Sequence, residues 1–380
     1  MPTRPTTTRK QRQRGLSLVE LMVSLAVTSI LMAGLIEVYV GVRRTEMTQE
    51  GLSHIQESGR FAMYFLTESA QMTGYVGCLS GMSTDEVTNL LDAPPASFQP
   101  EIPIQGWEAD DSAPGEISNV DDGVEVVSTG GGDWSSSGGN VLEDTNVVPG
   151  TDILRIWGID SAQEADINTI TPGLATVVNT DVFDVEDGDI LLLSDCEQAN
   201  IVQACEVQTL SSPASLNLTL SALCAPGNNL LQNVSVSTEG KAARLTGTLY
   251  YIGKRGDDAD NSPSLFQRQL SSTGALGPAE ELVEGVANMQ VLYGENLDND
   301  SRNAADAYVT ADQVADWDNV VSIRISLLVE SIEAALLEAP QAFTFNGVVY
   351  DGEAGNGDLP DDQRSRRVFT TTLSLRNKVL

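Results

Sequence analysis

The residues of this chain best placed to do chemistry lie at its amino terminus, in Arg14-Gly15-Leu16-Ser17-Leu18-Val19-Glu20. A basic leader ends in glycine, an apolar segment starts at the next residue, and a single carboxylate, Glu20, stands five positions into it. An ionised carboxylate in a bilayer-spanning helix costs roughly 2.5 to 3.5 kcal/mol on insertion scales, so it is rarely found there without a partner. Cleavage between Gly15 and Leu16 would create one. Leu16 then carries a free α-amino group, and Glu20 of one subunit can pair with that group on a neighbour. On this reading the chain is a substrate of proteolysis and Glu20 is an assembly residue.

Other reactive residue types argue against catalysis. The single histidine, His54, falls in a helical stretch, which leaves no imidazole base for a Ser or Cys triad in the remainder. The sequence contains no GxSxG elbow, no HExxH and no phosphate loop. Carboxylate pairs of the glycosidase kind arise by chance among 54 acidic residues. No catalytic residue and no cofactor is therefore assigned. Calcium is the one metal considered. Asp298-Asn299-Asp300, with Asn303 and Asp306, offers closely spaced oxygens, as does Asp257-Asp258-Ala259-Asp260-Asn261. Yet Arg302 stands where a ligand would be expected, the loop glycine is missing and no Glu closes the twelfth position, so a solvated loop is the stronger reading and no metal is assigned.

The cysteines are Cys78, Cys196, Cys205 and Cys224, an even number that favours disulfides in an exported chain. Three pairings are open. The eight residues between Cys196 and Cys205 could form a hairpin loop, which favours that pair together with Cys78–Cys224. No CxxC spacing supports a zinc ribbon or a thioredoxin-like site.

The element that must carry Glu20 is a helix. An uncharged apolar run, Leu21 to Ile36, continues to Val40 with only Glu37 interrupting it. Leu16 to Val40 spans about 37 Å at 1.5 Å per residue, enough to cross a bilayer. Arg4, Arg9, Lys10, Arg12 and Arg14 have no acid among them, which keeps the leader cytoplasmic and exports the rest. An ordinary secretory signal peptide and a plain membrane anchor share that orientation, but a standard h-region of roughly 7 to 15 residues rarely opens with Glu. Beyond the membrane segment Leu52, Ile55, Gly59, Ala62 and Leu66 recur at steps of three and four, with Met47, Phe61, Met63 and Phe65 broadening the stripe. No proline occurs between the leader and Pro94, so one helix is predicted from Leu16 to about Thr73, stopped by Gly74.

From Tyr75 onward the pattern changes to short β-type runs. Val124–Val127, Asp152–Trp157, Ile190–Leu193, Ala204–Gln208, Leu216–Leu220, Leu245–Tyr251, Val320–Val329 and Val368–Leu375 read as strands. Long acidic or Gly-rich loops cover Gly130–Asn140, Gly256–Pro263 and Leu297–Ala307. The predicted fold class is α+β: a leader over 1–15, an N-terminal helical spine over 16–75 with 16–40 in the membrane, and a β-rich, mostly antiparallel globular head over 76–380. With the five leader cations removed, 16 basic residues face 54 acidic ones, a net charge of −38. Such a surface will not bind nucleic acid or anionic lipid.

Gly15-Leu16-Ser17-Leu18-Val19-Glu20-Leu21-Met22-Val23 resembles the class III signal of type IV prepilins and type II secretion pseudopilins. The resemblance implies that a prepilin peptidase cuts after Gly15 and N-methylates Leu16, where the family most often has Phe. The head is similar to the PilW group of minor type IV pilins. Its landmarks are Gly74-Tyr75-Val76-Gly77-Cys78, Ser194-Asp195-Cys196, Ser264-Leu265-Phe266-Gln267-Arg268, the stretch Glu281 to Gly294, Trp317-Asp318-Asn319-Val320 and Leu375-Arg376-Asn377. Taken residue by residue, Trp317 and Tyr293 read as core anchors. The resemblance implies a pilin-like, non-catalytic subunit in the inner membrane with its head in the periplasm. Its expected partners are other minor pilins, the major pilin and a tip adhesin, and its expected role is to prime or cap an extracellular pilus at the tip. A type II secretion pseudopilin and a membrane-anchored adhesin or ligand-binding ectodomain are the alternatives.

Overall fold

A computed structural model describes residues 17–77, 87–95, 98–109, 112–115, 134–135, 147–171, 173–178, 183–211, 214–229, 234–255, 262–271, 274–297, 304–334 and 336–377. Helix α1 is unbroken from Leu18 to Met72, close to the predicted bounds. The chain divides into two compact units, Met1–Glu50 and Gly51–Leu380, and the boundary falls within α1.

From Leu18 to Val40 α1 is apolar on almost every side, with Glu20 and Glu37 as its charged residues. Its mean hydropathy reaches 2.1, and by length and composition it could cross a membrane. Its hydroxyl side chains turn inward on their own backbone. Ser24 Oγ donates to the Glu20 carbonyl at 2.7 Å and Thr28 Oγ1 to the Ser24 carbonyl at 2.7 Å, while Ser29 bonds the Ala26 carbonyl. Hydroxyls satisfied in this way leave the helix surface hydrocarbon.

The second unit buries one stripe of α1. Ile55, Ser58, Gly59, Ala62, Leu66 and Ala70 lie on it, at the three- and four-residue steps predicted. Met63 and Phe65 pack partly against it, whereas Met47, Leu52 and Phe61 are exposed, so the stripe is narrower than the sequence pattern suggests. Gly74, at φ 67°, ends the helix and donates its N–H to the Trp157 carbonyl at 3.1 Å.

Twelve strands form the larger sheet: β1 (Val87–Asn89), β2 (Ile104–Ala109), β3 (Trp134–Ser135), β4 (Ile153–Thr171), β5 (Leu174–Val178), β6 (Ile190–Ser194), β7 (Ala199–Gln203), β8 (Glu206–Ser211), β9 (Ala214–Thr219), β10 (Lys241–Gly253), β11 (Ser264–Leu270) and β12 (Leu276–Glu284). The spatial order is β1-β7-β6-β10-β4-β5-β9-β8, with β11 and β12 continuing from β10, and β2 and β3 from β4. Among the described strand pairs only β1–β7 is parallel. After it come β13 (Val286–Glu295), β14 (Ala307–Val309) and β15 (Val320–Glu330), a small hairpin of β16 (Phe343–Phe345) and β17 (Val348–Tyr350), and β18 (Arg366–Ser374). The second sheet has the order β14-β13-β15-β18, antiparallel throughout.

On β15 the alternation separates Ile323, Ile325, Leu327 and Val329, all fully buried, from the half-exposed Arg324 and Ser326. The buried set shares one core with the Ile55, Ala62, Leu66 and Ala70 stripe and with Ile104, Leu154, Ile156 and Tyr250 of the larger sheet. The second half of α1 is therefore part of the head's own core.

The predicted strands lie within β4, β6, β9, β10, β15 and β18, apart from the terminal residues Asp152, Leu220 and Leu375. Ala204–Gln208 requires correction: Ala204 and Cys205 lie between β7 and β8, because β7 closes on β6 while β8 turns away to pair with β9. Val124–Val127 lies outside the described residues, as do most of the three predicted loops; of Gly130–Asn140, Trp134 and Ser135 form β3.

Candidate assembly site

Glu20 occupies the first turn of α1, where Leu21 N–H already bonds the Ser17 carbonyl at 3.2 Å. A carboxylate suits the positive end of a helix dipole. Its surroundings are apolar and exposed: Leu18 keeps 75% of its surface and Ile30 72%. The next cation along α1 is Arg43, about 35 Å away at 1.5 Å per residue. Gly15, Leu16 and the leader cations lie outside the described residues.

The cysteines pair differently from expectation. Cys205 is bonded to Cys224, with Cα atoms 5.4 Å apart and a sequence separation of 19. Cys196 is also disulfide-bonded, and Cys78 lies outside the described residues. The favoured Cys196–Cys205 and Cys78–Cys224 pairs are thus overturned. The eight residues between Cys196 and Cys205 form no hairpin of their own: they are the end of the β6–β7 turn at Asp195–Gln198 and the single strand β7, with Ser194 opposite Ala199 and Ile190 opposite Gln203. Cys196 sits in the turn and Cys205 beyond the other end of β7, separated by five strand residues, or about 17 Å at 3.4 Å per residue. The turn is held by Asp195, which accepts from the N–H groups of Glu197, Gln198 and Ser237. Burial works to raise its pKa, but those donors outweigh burial and hold it below the usual value.

The loop closed by Cys205–Cys224 is fastened through two buried amides. Asn228 Oδ1 accepts from Gln203 N–H at 2.8 Å, and its Nδ2 returns a bond to the Gln203 carbonyl at 2.8 Å. Gln203 Oε1 accepts from Gly227 N–H at 2.8 Å, and Nε2 donates to the Gly188 and Ala225 carbonyls.

Sequence reading missed a buried acidic pair. Asp152, 2% exposed, accepts from Ala109 N–H at 3.2 Å and Val291 N–H at 2.7 Å, while Glu108, 6% exposed, accepts from Ser112 Oγ at 3.2 Å. Burial, then the nearby Glu108 charge, pushes Asp152 well above the usual carboxylate range. Tyr293 is pushed upward by burial and by both acids, and its ring meets Trp317 edge-on with centroids 4.9 Å apart. Tyr293 is thus the core anchor expected, and Trp317 packs partly buried against the same core. The one available signal was an Asp directly before the apolar run Ile153-Leu154. An acid pair closed to solvent acts as a joint between β2, β4 and β13.

Of the calcium candidates, Asp298 and Asp300 lie outside the described residues. Asp306 accepts from Leu297 N–H at 2.8 Å and donates its own N–H to the Glu295 carbonyl. Among the described residues no group of three or more His, Cys, Asp or Glu side chains is placed to hold a metal.

Residues 249–377 match the family described as Type IV Pilus-assembly protein W, and residues 10–36 match the Prokaryotic N-terminal methylation motif. Over these two segments the chain resembles a PilW-like pilin. No curated protein and no solved structure gives a significant match. The PilW-like region runs from within β10 to Asn377, so it takes in the whole second sheet. The methylation motif covers the leader end, Glu20 and the first half of the apolar helix. Together the matches relate the chain to the type IV pilus and to an inner-membrane anchor processed by the prepilin peptidase.

Proposed function

We propose that this chain is a minor pilin that helps prime a type IV pilus and sits at or near its tip. On this reading the prepilin peptidase removes residues 1–15 and methylates Leu16, residues 16–40 hold the subunit in the inner membrane and later pack in the filament core, and residues 76–380 form the exported head. Glu20 neutralises the terminal amine of the neighbouring subunit. The observation that carries this reading is the overlap of the methylation motif with the first part of α1, whose large apolar side chains are exposed from Leu18 to Val42 and which bears one carboxylate near its start. A head running from Val76 to Leu380 would crowd a filament if repeated at every position, which favours a minor over a major subunit. The family description of the head names the pilus, which favours it over a secretion pseudopilus.

Intact-mass measurement on membrane-extracted protein tests the processing step: loss of 15 residues with one added methyl is expected. Glu20→Ala, as the only copy in the cell, should be processed normally and yield few surface pili. A mature chain beginning elsewhere than Leu16, or normal piliation with Glu20→Ala, would overturn the reading.

A further inference from the structure

A sheet edge presents unpaired backbone groups, and folded proteins blunt such edges with short strands, proline, bulges or charge. Most edges of this head follow that rule. β1 and β14 have three residues and β3 two. β8 has six, and its Val207 N–H is taken by Asp187 Oδ1 at 2.7 Å. β12 has nine but contains Pro278 and two register irregularities. β18 also has nine residues, contains neither proline nor glycine, and pairs with β15 from Arg366 to Ser374 without a shift.

The free side of β18 is open over most of its length. At Arg366 it is capped by Gln341, which accepts from the Arg366 N–H at 2.9 Å and donates to its carbonyl at 3.3 Å. Arg366 therefore directs its peptide groups away from β15, and with a period of two so do Val368, Thr370, Thr372 and Ser374. Leu375 N–H, on the alternate phase, bonds the Val321 carbonyl. No described residue takes the N–H or C=O of Val368, Thr370, Thr372 or Ser374, and Thr370, Thr372 and Ser374 are exposed.

The charge around this edge is the reverse of the chain's net −33. Arg367 and Arg376 are exposed at its two ends, and Arg324 lies beside Thr372, with its guanidinium 4.3 Å from the Tyr308 ring centroid. None of the three has a carboxylate partner among the described residues. A second copy fits poorly. Antiparallel self-pairing through all four open positions sets Val368 opposite Ser374 and Thr370 opposite Thr372, and that register sets Arg366 opposite Arg376. Like charges directly across a sheet are destabilising.

We propose that the free edge of β18, from Val368 to Ser374, receives an extended strand of an acidic partner protein, which joins the β14-β13-β15-β18 sheet through backbone bonds and meets Arg324, Arg367 and Arg376 with its carboxylates. Backbone pairing supplies the attachment and the flanking cations supply the selectivity, as in strand addition generally.

The test uses the full chain in detergent and two synthetic peptides of alternating Thr and Val, one flanked by glutamates and the other by lysines. The glutamate peptide should bind, more weakly as salt rises, and the lysine peptide should not. Thr370→Pro removes an N–H that faces away from β15 and should weaken binding by tenfold or more with the thermal midpoint little changed. Arg367→Glu with Arg376→Glu leaves the ladder intact and should reverse the peptide preference. No binding of the glutamate peptide, or equal binding to wild type and to Thr370→Pro, would overturn the proposal. Concentration-dependent dimerisation abolished by Thr370→Pro would overturn it in favour of a second copy.

Discussion

Asn377 Nδ2 donates to the Thr73 carbonyl at 3.0 Å and to the Gln71 carbonyl at 3.3 Å, so a residue near the end of the chain caps the C-terminus of α1. The last carbonyls of a helix have no partner within it. Here they are satisfied from 304 residues away in sequence. The same helix end receives Gly74 N–H on the Trp157 carbonyl and the Ser69 hydroxyl on Tyr250 Oη, which joins it to both β4 and β10.

Asn377→Ala should therefore loosen the last turn of α1 as well as the chain terminus. A single neutral hydrogen bond contributes about 1 kcal/mol net. A loss of that size is expected in chemical denaturation, with faster amide exchange around Gln71–Gly74. Asn377→Asp removes the donor at equal size and should cost at least as much. A variant with unchanged exchange at those amides would show that the cap carries no load.

Gly59 lies against Phe369 of β18, and a Cβ built on it would stand 2.3 Å from the ring. Gly59 is buried on α1, and Phe369 packs partly buried against the core that α1 shares with β15. Gly59→Leu should destabilise the head by about 1 to 3 kcal/mol through overpacking. Shortening the ring in the double variant Gly59→Ala with Phe369→Leu should recover part of the loss, and thermal unfolding of the two variants measures the difference.

Cys205–Cys224 closes a loop of 19 residues, for which chain-entropy arguments give about 3 kcal/mol. Replacing both cysteines with serine should lower stability by that order. Peptide mapping of the non-reduced protein should recover a fragment joining Cys205 to Cys224 and none joining Cys196 to Cys205. Gln203→Ala removes the buried amide that ties this loop to β7 and should release it to proteolysis near Leu223, which is 95% exposed, while the disulfide stays closed.

The helix was legible because its signals are local: no proline, an apolar run, then a three-and-four stripe from Ile55 to Ala70. The strands Ile190–Leu193 and Val320–Val329 were legible for the same reason, being runs of β-branched and aliphatic residues. The disulfide was not, because spacing says nothing of which end of β7 each cysteine occupies. β4 also exceeded its predicted length, extending past Trp157 to the polar Glu164 and Asp166, which β10 pairs with Ala243 and Lys241 beyond a register irregularity. The β18 edge depends on what is absent beside it, and only the sheet order shows that. Glu20 was visible from its type and setting, whereas Asp152 and Glu108 meet only through tertiary folding.

The Asp152 site predicts a pH dependence with a definite sign. Burial and the Glu108 charge raise the Asp152 pKa in the fold, whereas in the unfolded chain it returns to about 3.9. Between those values the folded state holds a proton that the unfolded state has lost. The contribution of this group is therefore fully present below about pH 3.9 and is lost as pH rises through the raised folded value. Asp152→Asn is neutral at every pH and keeps one oxygen for Ala109 or Val291 N–H, at the cost of leaving the other donor facing an amide. That cost is constant with pH, so the stability of Asp152→Asn relative to wild type should improve as pH rises above about 4, until the raised folded value is passed. Denaturant titrations of both proteins across that range measure the slope. A difference that stays flat, or runs the other way as it would for the depressed carboxylates Asp195 and Asp362, would mean that Asp152 is ionised at no penalty in its site.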